Sequence, residues 1–201
     1  MRRNILDICF ILILIIIIVF TITHIYKQTI NEDRDILEEM AENMPEENIE
    51  EVAEEEDILI TSTYEIDGKT YEIIAVLKIP SLGIEYPVLS TTSKELLKVS
   101  LNKYWGPNPN RKGNFCILGH NYNDERFFGK LNQIKKRDKI ELTDMTGTTL
   151  DYYVYNTFIA EPEDTSCTSQ KEQLAEGKTE ITLITCTKNF KQRFIVKARA
   201  N

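Results

Sequence analysis

The sequence predicts an all-β domain, a closed barrel or sandwich of seven to eight short strands with short helices, preceded by a membrane-spanning helix and an acidic stalk. Three observations carry this expectation. From Ile58 onward, short apolar or alternating runs follow one another between turn signals, the pattern of a barrel or sandwich and not of a βαβ sheet. Ile8 to Phe20 is an unbroken apolar run that continues without formal charge to Ile25, long enough as a helix to cross a hydrocarbon core. Between the two, residues 31–57 hold fourteen acidic side chains and one base, Arg34. Such a stretch has too little apolar surface for a core and suits a self-repelling, partly helical spacer.

The chain thus divides into a cytoplasmic tip and anchor (1–30), a stalk (31–57) and a globular domain (58–201). Arg2 and Arg3 precede the apolar span and acids follow it, so the positive-inside rule places the N-terminus in the cytoplasm and the domain outside. No small-residue cleavage site follows Phe20, which favours a retained anchor over a cleaved leader. The net charge of −8 comes from the stalk, and the domain itself is mildly basic. It lacks the basic stripe that nucleic acid would require.

Within the domain, Leu59 to Ile66 and Lys69 to Val76 flank Asp67-Gly68, a two-residue hairpin turn. The apolar run Ile73 to Ile79 stops at Pro80. Tyr86 to Leu89 is a short strand, with Pro87 marking an edge or bulge. Ser93 to Val99 reads as a short helix with Ser93 as its N-cap. Trp105 to Gly113 reads as loop, and Phe115 to Leu118 as a strand leading into Gly119-His120-Asn121. Lys139 to Leu142, Thr149 to Ala160, Glu180 to Thr185 and Arg193 to Ala200 are further strands. Asp144 to Gly147 is a turn, and Gln170 to Glu176 a short helix.

Two reactive residue types stand at strand ends. His120 follows one apolar strand, and Cys186 ends another. A cysteine–histidine pair on a rigid sheet is a plausible nucleophile and acid/base couple. Residue type alone leaves open a core cysteine and a solvated histidine. The four cysteines (9, 116, 167 and 186) have no CxxC spacing, so neither a zinc knuckle nor a redox dithiol is expected. No metal or other cofactor is called for. Cys116, four residues before His120, reads as core packing, and Cys167 as a free or lip residue.

The local motifs narrow the choice. Thr182-Leu183-Ile184-Thr185-Cys186 resembles the TLxTC signature of sortases, and Leu118-Gly119-His120-Asn121 resembles their histidine strand. Arg193, seven residues past the cysteine, matches the position of the family's arginine. Leu77 to Pro80, Tyr86 to Val88 and Gly113 to Phe115 follow the family's order as well. The resemblance implies a sortase-like barrel and a cysteine transpeptidase. Such an enzyme cleaves a C-terminal sorting signal of a secreted protein through an acyl-thioester on Cys186. It then passes the acyl group to an amine of a cell-wall precursor or a pilin. His120 would be the acid/base, Arg193 the oxyanion or substrate cation, and Thr185 and Asn121 would contact substrate. The chain ends directly after its last strand, and the stalk lacks an Asp-Pro-aromatic lid motif. A single-anchor sortase outside the pilin-polymerising class is therefore expected. A tethered cysteine hydrolase and a non-catalytic wall-binding β-domain are the alternatives.

Overall fold

The computed structural model describes residues 15–24, 61–66, 68–188 and 191–201. The stalk, and residues 8–14 and 25 of the apolar span, lie outside the described residues. Residues 15–24 form a helix, α1, whose apolar side chains are exposed. Among the described residues no helix is long and apolar enough to cross a membrane.

The domain is built from nine strands: β1 (Ser62–Ile66), β2 (Lys69–Ile79), β3 (Ile84–Leu89), β4 (Leu101–Trp105), β5 (Gly113–Leu118), β6 (Lys139–Asp144), β7 (Thr149–Ala160), β8 (Thr179–Cys186) and β9 (Arg193–Ala200). Their order is β1-β2-β3-β4-β5-β8-β9-β7-β6, and β6 returns to pair with β2. Eight strands therefore close into a barrel, which removes exposed edges. β1 stands outside the closure, because it pairs with the first half of β2 while β6 takes the second half.

The expected strand number is met by a different set. The hairpin strand β1 is not a barrel member, and β4, unforeseen from the sequence, is. Asn102 and Lys103 break its apolar pattern, yet Asn102 is buried, its amide donating to the carbonyls of Leu96 and Ser100. The helix expected at Ser93 to Val99 is a single 3-10 turn, Leu96–Lys98, and the Ser93 hydroxyl accepts from the Leu96 N–H as a cap does. Pro87 sits where β3 has β2 on one side and no strand on the other, since pairing with β4 begins at Val88. The missing N–H of proline costs no ladder bond there.

Alternation along the strands separates two apolar clusters. The barrel interior holds Phe115, Ile117, Ile181, Leu183, Val196 and Ala198, closed by Phe128, Leu142 and Tyr152. The opposite face of β5, β8 and β9 carries a second cluster that includes Cys116, Leu118, Ile184, Cys186 and Ile195. That outer face is roofed by the β7–β8 connection, which contributes Cys167 and a short helix, α2 (Lys171–Ala175). Burying each such side chain contributes roughly 1.5–3 kcal/mol, so the roof is part of the fold and not an appendage.

The far end of this face is polar. Glu180 is fully buried and accepts from Lys197 Nζ at 2.7 Å, Arg199 Nη2 at 3.1 Å, Gln173 Nε2 at 3.0 Å and Tyr155 Oη at 2.9 Å. A buried carboxylate is tolerated only with partners of this kind.

Candidate active site

β5 and β8 run parallel, with Leu118 opposite Ile184. The ladder continues past the end of β5, where the Gly119 N–H donates to the Ile184 carbonyl at 3.1 Å. Two residues beyond that register, His120 comes abreast of Cys186. On the other side, Cys186 is the register partner of Arg193, the last pair of β8 with β9. The three residues predicted to do chemistry therefore lie side by side across three neighbouring strands. Cys186 shares the outer face with Ile184, and Arg193 shares it with Ile195.

Thr185 and Asn121, the expected substrate or oxyanion contacts, each tie the two reactive segments together. Thr185 alternates to the inner side of β8, and its hydroxyl donates to the Gly119 carbonyl at 2.7 Å. The Asn121 side-chain amide donates to the Cys186 carbonyl at 3.0 Å. Both are buried and bind the histidine segment to the cysteine segment. Adjacency to Cys186 in sequence places Thr185 on the opposite face of the strand. Gly119 is required at this junction. A Cβ there would lie 2.6 Å from Leu101 Cδ2 and 2.7 Å from Phe128 Cδ2.

His120 rests against Tyr122, with ring centroids 4.9 Å apart. The Arg126 guanidinium lies 4.4 Å from the Tyr122 ring centre and is held by Asp124, whose Oδ2 accepts from Nε at 2.8 Å. Tyr122 was not foreseen as part of the site, although an aromatic residue two positions past a strand-end histidine is visible in the sequence.

All three groups are almost wholly shielded, with relative exposures of 1% for Cys186, 2% for His120 and 3% for Arg193. Burial pushes the Arg193 guanidinium down from its ordinary range, opposed by the nearby Tyr104, Cys167, Cys186 and Glu163. Its Nε has no hydrogen-bond partner among the described residues. Burial likewise raises the Tyr104 phenol, with Arg193 acting against the shift. Cys116 is core packing, as expected, and burial drives its thiol far up. Cys167, expected as a free or lip residue, is a free thiol buried in the outer cluster and raised to about 11 by desolvation. A cavity of about 240 Å³ opens beside Tyr104, between Ser90–Thr92 and Lys103–Gly106. Among the described residues, no group of three or more His, Cys, Asp or Glu is placed to hold a metal ion.

The chain is similar to known proteins. The family model for the sortase domain matches residues 77–201. Sortase A of Bacillus anthracis is 36% identical over 135 residues, covering 62% of this chain and 58% of the relative. The chain thus spans little more than half the length of that relative. Among solved structures, a Clostridium perfringens sortase D5 transpeptidase superposes with a TM-score of 0.58 at 27% identity, covering 64% of this chain and 79% of the other. A lid mutant of sortase A from Corynebacterium diphtheriae also gives 0.58, at 28% identity, covering 64% and 70%. The matched stretch runs from the second half of β2 to the last residue and takes in every strand that positions the cysteine, histidine and arginine, so the chain belongs to the sortase family.

Proposed function

We propose that this chain is a membrane-anchored cysteine transpeptidase acting outside the cell. Its acyl donors would be secreted proteins carrying a C-terminal sorting motif, and its acceptor an amine on a cell-wall precursor or a pilin. Residues 8–25 would supply the anchor and residues 31–57 the stalk. The single observation that carries the chemistry is the pairing of Cys186 with Arg193 across β8 and β9, with His120 two residues past the Leu118–Ile184 pair of β5 and β8.

In this reaction the Cys186 thiolate attacks the scissile carbonyl carbon. The carbonyl oxygen becomes an oxyanion, which Arg193 stabilises. A buried guanidinium whose Nε lacks a protein acceptor is suited to an oxygen that develops charge only in the transition state. The His120 imidazolium gives its proton to the departing amine nitrogen, the C–N bond breaks, and a thioester remains on Sγ. The incoming amine then attacks the thioester carbon, His120 takes the proton back, and the thiolate leaves. The near-complete shielding of the three groups favours transfer over hydrolysis, because a thioester kept from water survives until an amine arrives.

The test is product analysis. Wild-type protein is incubated with a library of candidate sorting peptides, with and without an added oligoglycine amine. A new amide, together with a trapped acyl adduct on Cys186 that is absent in a folded Cys186→Ala variant, supports the proposal. Free acid alone at every amine concentration would make the protein a hydrolase. An unchanged Cys186→Ala variant would make it a binding domain.

A further inference from the structure

The roof over the active-site face is fastened by two buried amides that no catalytic step uses. β4 stops pairing with β5 at Trp105 opposite Cys116, leaving the backbone of Asn114 without a strand on that side. The side chain of Gln170 fills the gap. Its Oε1 accepts from the Asn114 N–H at 2.7 Å, and its Nε2 donates to the Asn114 carbonyl at 2.8 Å and to the Thr168 carbonyl at 2.9 Å. Asn114 reciprocates. Its Nδ2 donates to the carbonyls of Cys167 at 2.9 Å and Ser169 at 3.3 Å, while its Oδ1 accepts from the Thr182 hydroxyl at 2.6 Å. Both residues are buried, and the network spans 53 to 68 residues of sequence. A buried network satisfied this fully holds its members in one arrangement.

The held segment is the one that passes the catalytic row. It leaves β7 at Ala160, the register partner of Arg193. Glu161 is held at its start, where Oε1 accepts from Gln192 Nε2 at 2.7 Å. The segment then reaches Cys167, which packs in the same cluster as Cys186. The tight fit extends to the loop opposite: a Cβ on Gly106 would lie 2.1 Å from the Asn114 carbonyl oxygen and 3.0 Å from Gln170 Nε2.

We infer that Asn114 and Gln170 are positioning residues for acyl-donor binding, because their reciprocal hydrogen bonds fix residues 161–170 as one wall above the Cys186–Arg193 pair. The wall sets both how a donor peptide seats and how freely other reagents reach the sulfur. Releasing the clasp therefore weakens donor binding while opening the sulfur to small electrophiles. Donor binding rests on the transpeptidase activity proposed above, whereas access to the sulfur does not.

The experiment compares the full-length wild type with Gln170→Ala and with Gln170→Met, which removes the same bonds but keeps the volume. Two rates are read: iodoacetamide modification of Cys186, followed by peptide mapping, and cleavage of the best-cleaved member of a fluorogenic peptide library. The expected result is a rise in KM of about fivefold or more with kcat within about twofold, a loss confined to binding. Cys186 modification is expected to quicken at least about threefold, as access to a shielded thiolate increases. Unchanged KM and unchanged modification overturn the inference. So does a fall in kcat at constant KM, or loss of folding in both variants, which would make the clasp core structure. If the wild type cleaves no peptide, the transpeptidase activity fails, and the modification rates still decide whether the clasp governs access.

Discussion

The side-chain amide of Asn121 donates to the backbone carbonyl of Cys186 across 3.0 Å. The residue after the histidine thus holds the residue that carries the sulfur. With the Thr185 hydroxyl on Gly119, this makes two crossed ties between the histidine and cysteine segments. Asn121→Ala leaves a buried carbonyl unsatisfied and is expected to cost about 1–3 kcal/mol of stability. Urea unfolding measures the cost. Cleavage at saturating peptide is expected to fall about tenfold, as the reacting groups lose alignment.

His120→Ala and Arg193→Ala are each expected to lower transfer by about a hundredfold or more, the size of general-acid and oxyanion losses. Arg193→Lys is expected to recover little, because an ammonium cannot reproduce a planar fork of donors. Single-turnover acylation of Cys186, followed by mass spectrometry, separates the effects. A near-normal rate in either alanine variant removes that residue from the mechanism.

The spare thiols give a pH prediction. Burial raises Cys167 to about 11, and Cys116 moves in the same direction. At pH 8 about a thousandth of Cys167 is thiolate, so iodoacetamide is expected to modify Cys167 only slowly. The sign for stability follows from linkage. Above a pH of about 9 the unfolded thiols lose their protons while the folded ones keep theirs, so the unfolded state binds fewer protons. Stability is expected to fall as pH rises from about 9 towards 11. A Cys116→Ala, Cys167→Ala double variant is expected to show a shallower fall in Tm across that interval.

Glu180 offers a test remote from the chemistry. Its carboxylate joins Lys197 and Arg199 of β9 to Gln173 of α2. Glu180→Ala leaves the half-buried cations Lys197 and Arg199 and the buried Gln173 amide without their acceptor and is expected to cost about 1–3 kcal/mol. Denaturant midpoints measure it. Thiol labelling of Cys167 under native conditions is expected to rise, because the roof loses an anchor.

Much of the barrel was legible because its strands announce themselves by apolar alternation between turns. Thr149–Ala160 and Arg193–Ala200 begin and end where the sequence places them. β4 was not legible, since Asn102 is buried to satisfy local carbonyls, a need that no periodicity reveals. His120, Cys186 and Arg193 could be named because strand ends and motif spacing mark them. Which face each neighbour occupies is a property of the pairing, so the ties that Thr185 and Asn121 make to Gly119 and Cys186 could not be read from the sequence. The Asn114–Gln170 clasp was invisible for another reason: its partners lie 56 residues apart, and no local pattern pairs them.

The parallel pairing of β5 with β8 has a kinetic consequence. Parallel neighbours cannot be joined by a tight turn, and here β6, β7 and α2 fill the excursion between them. The two halves of the reactive couple meet only after that whole detour has collapsed into place, at the cost of a large loop-closure entropy. During refolding, circular dichroism should recover before thiol reactivity characteristic of the native protein, and any fragment lacking the final two strands should be inert.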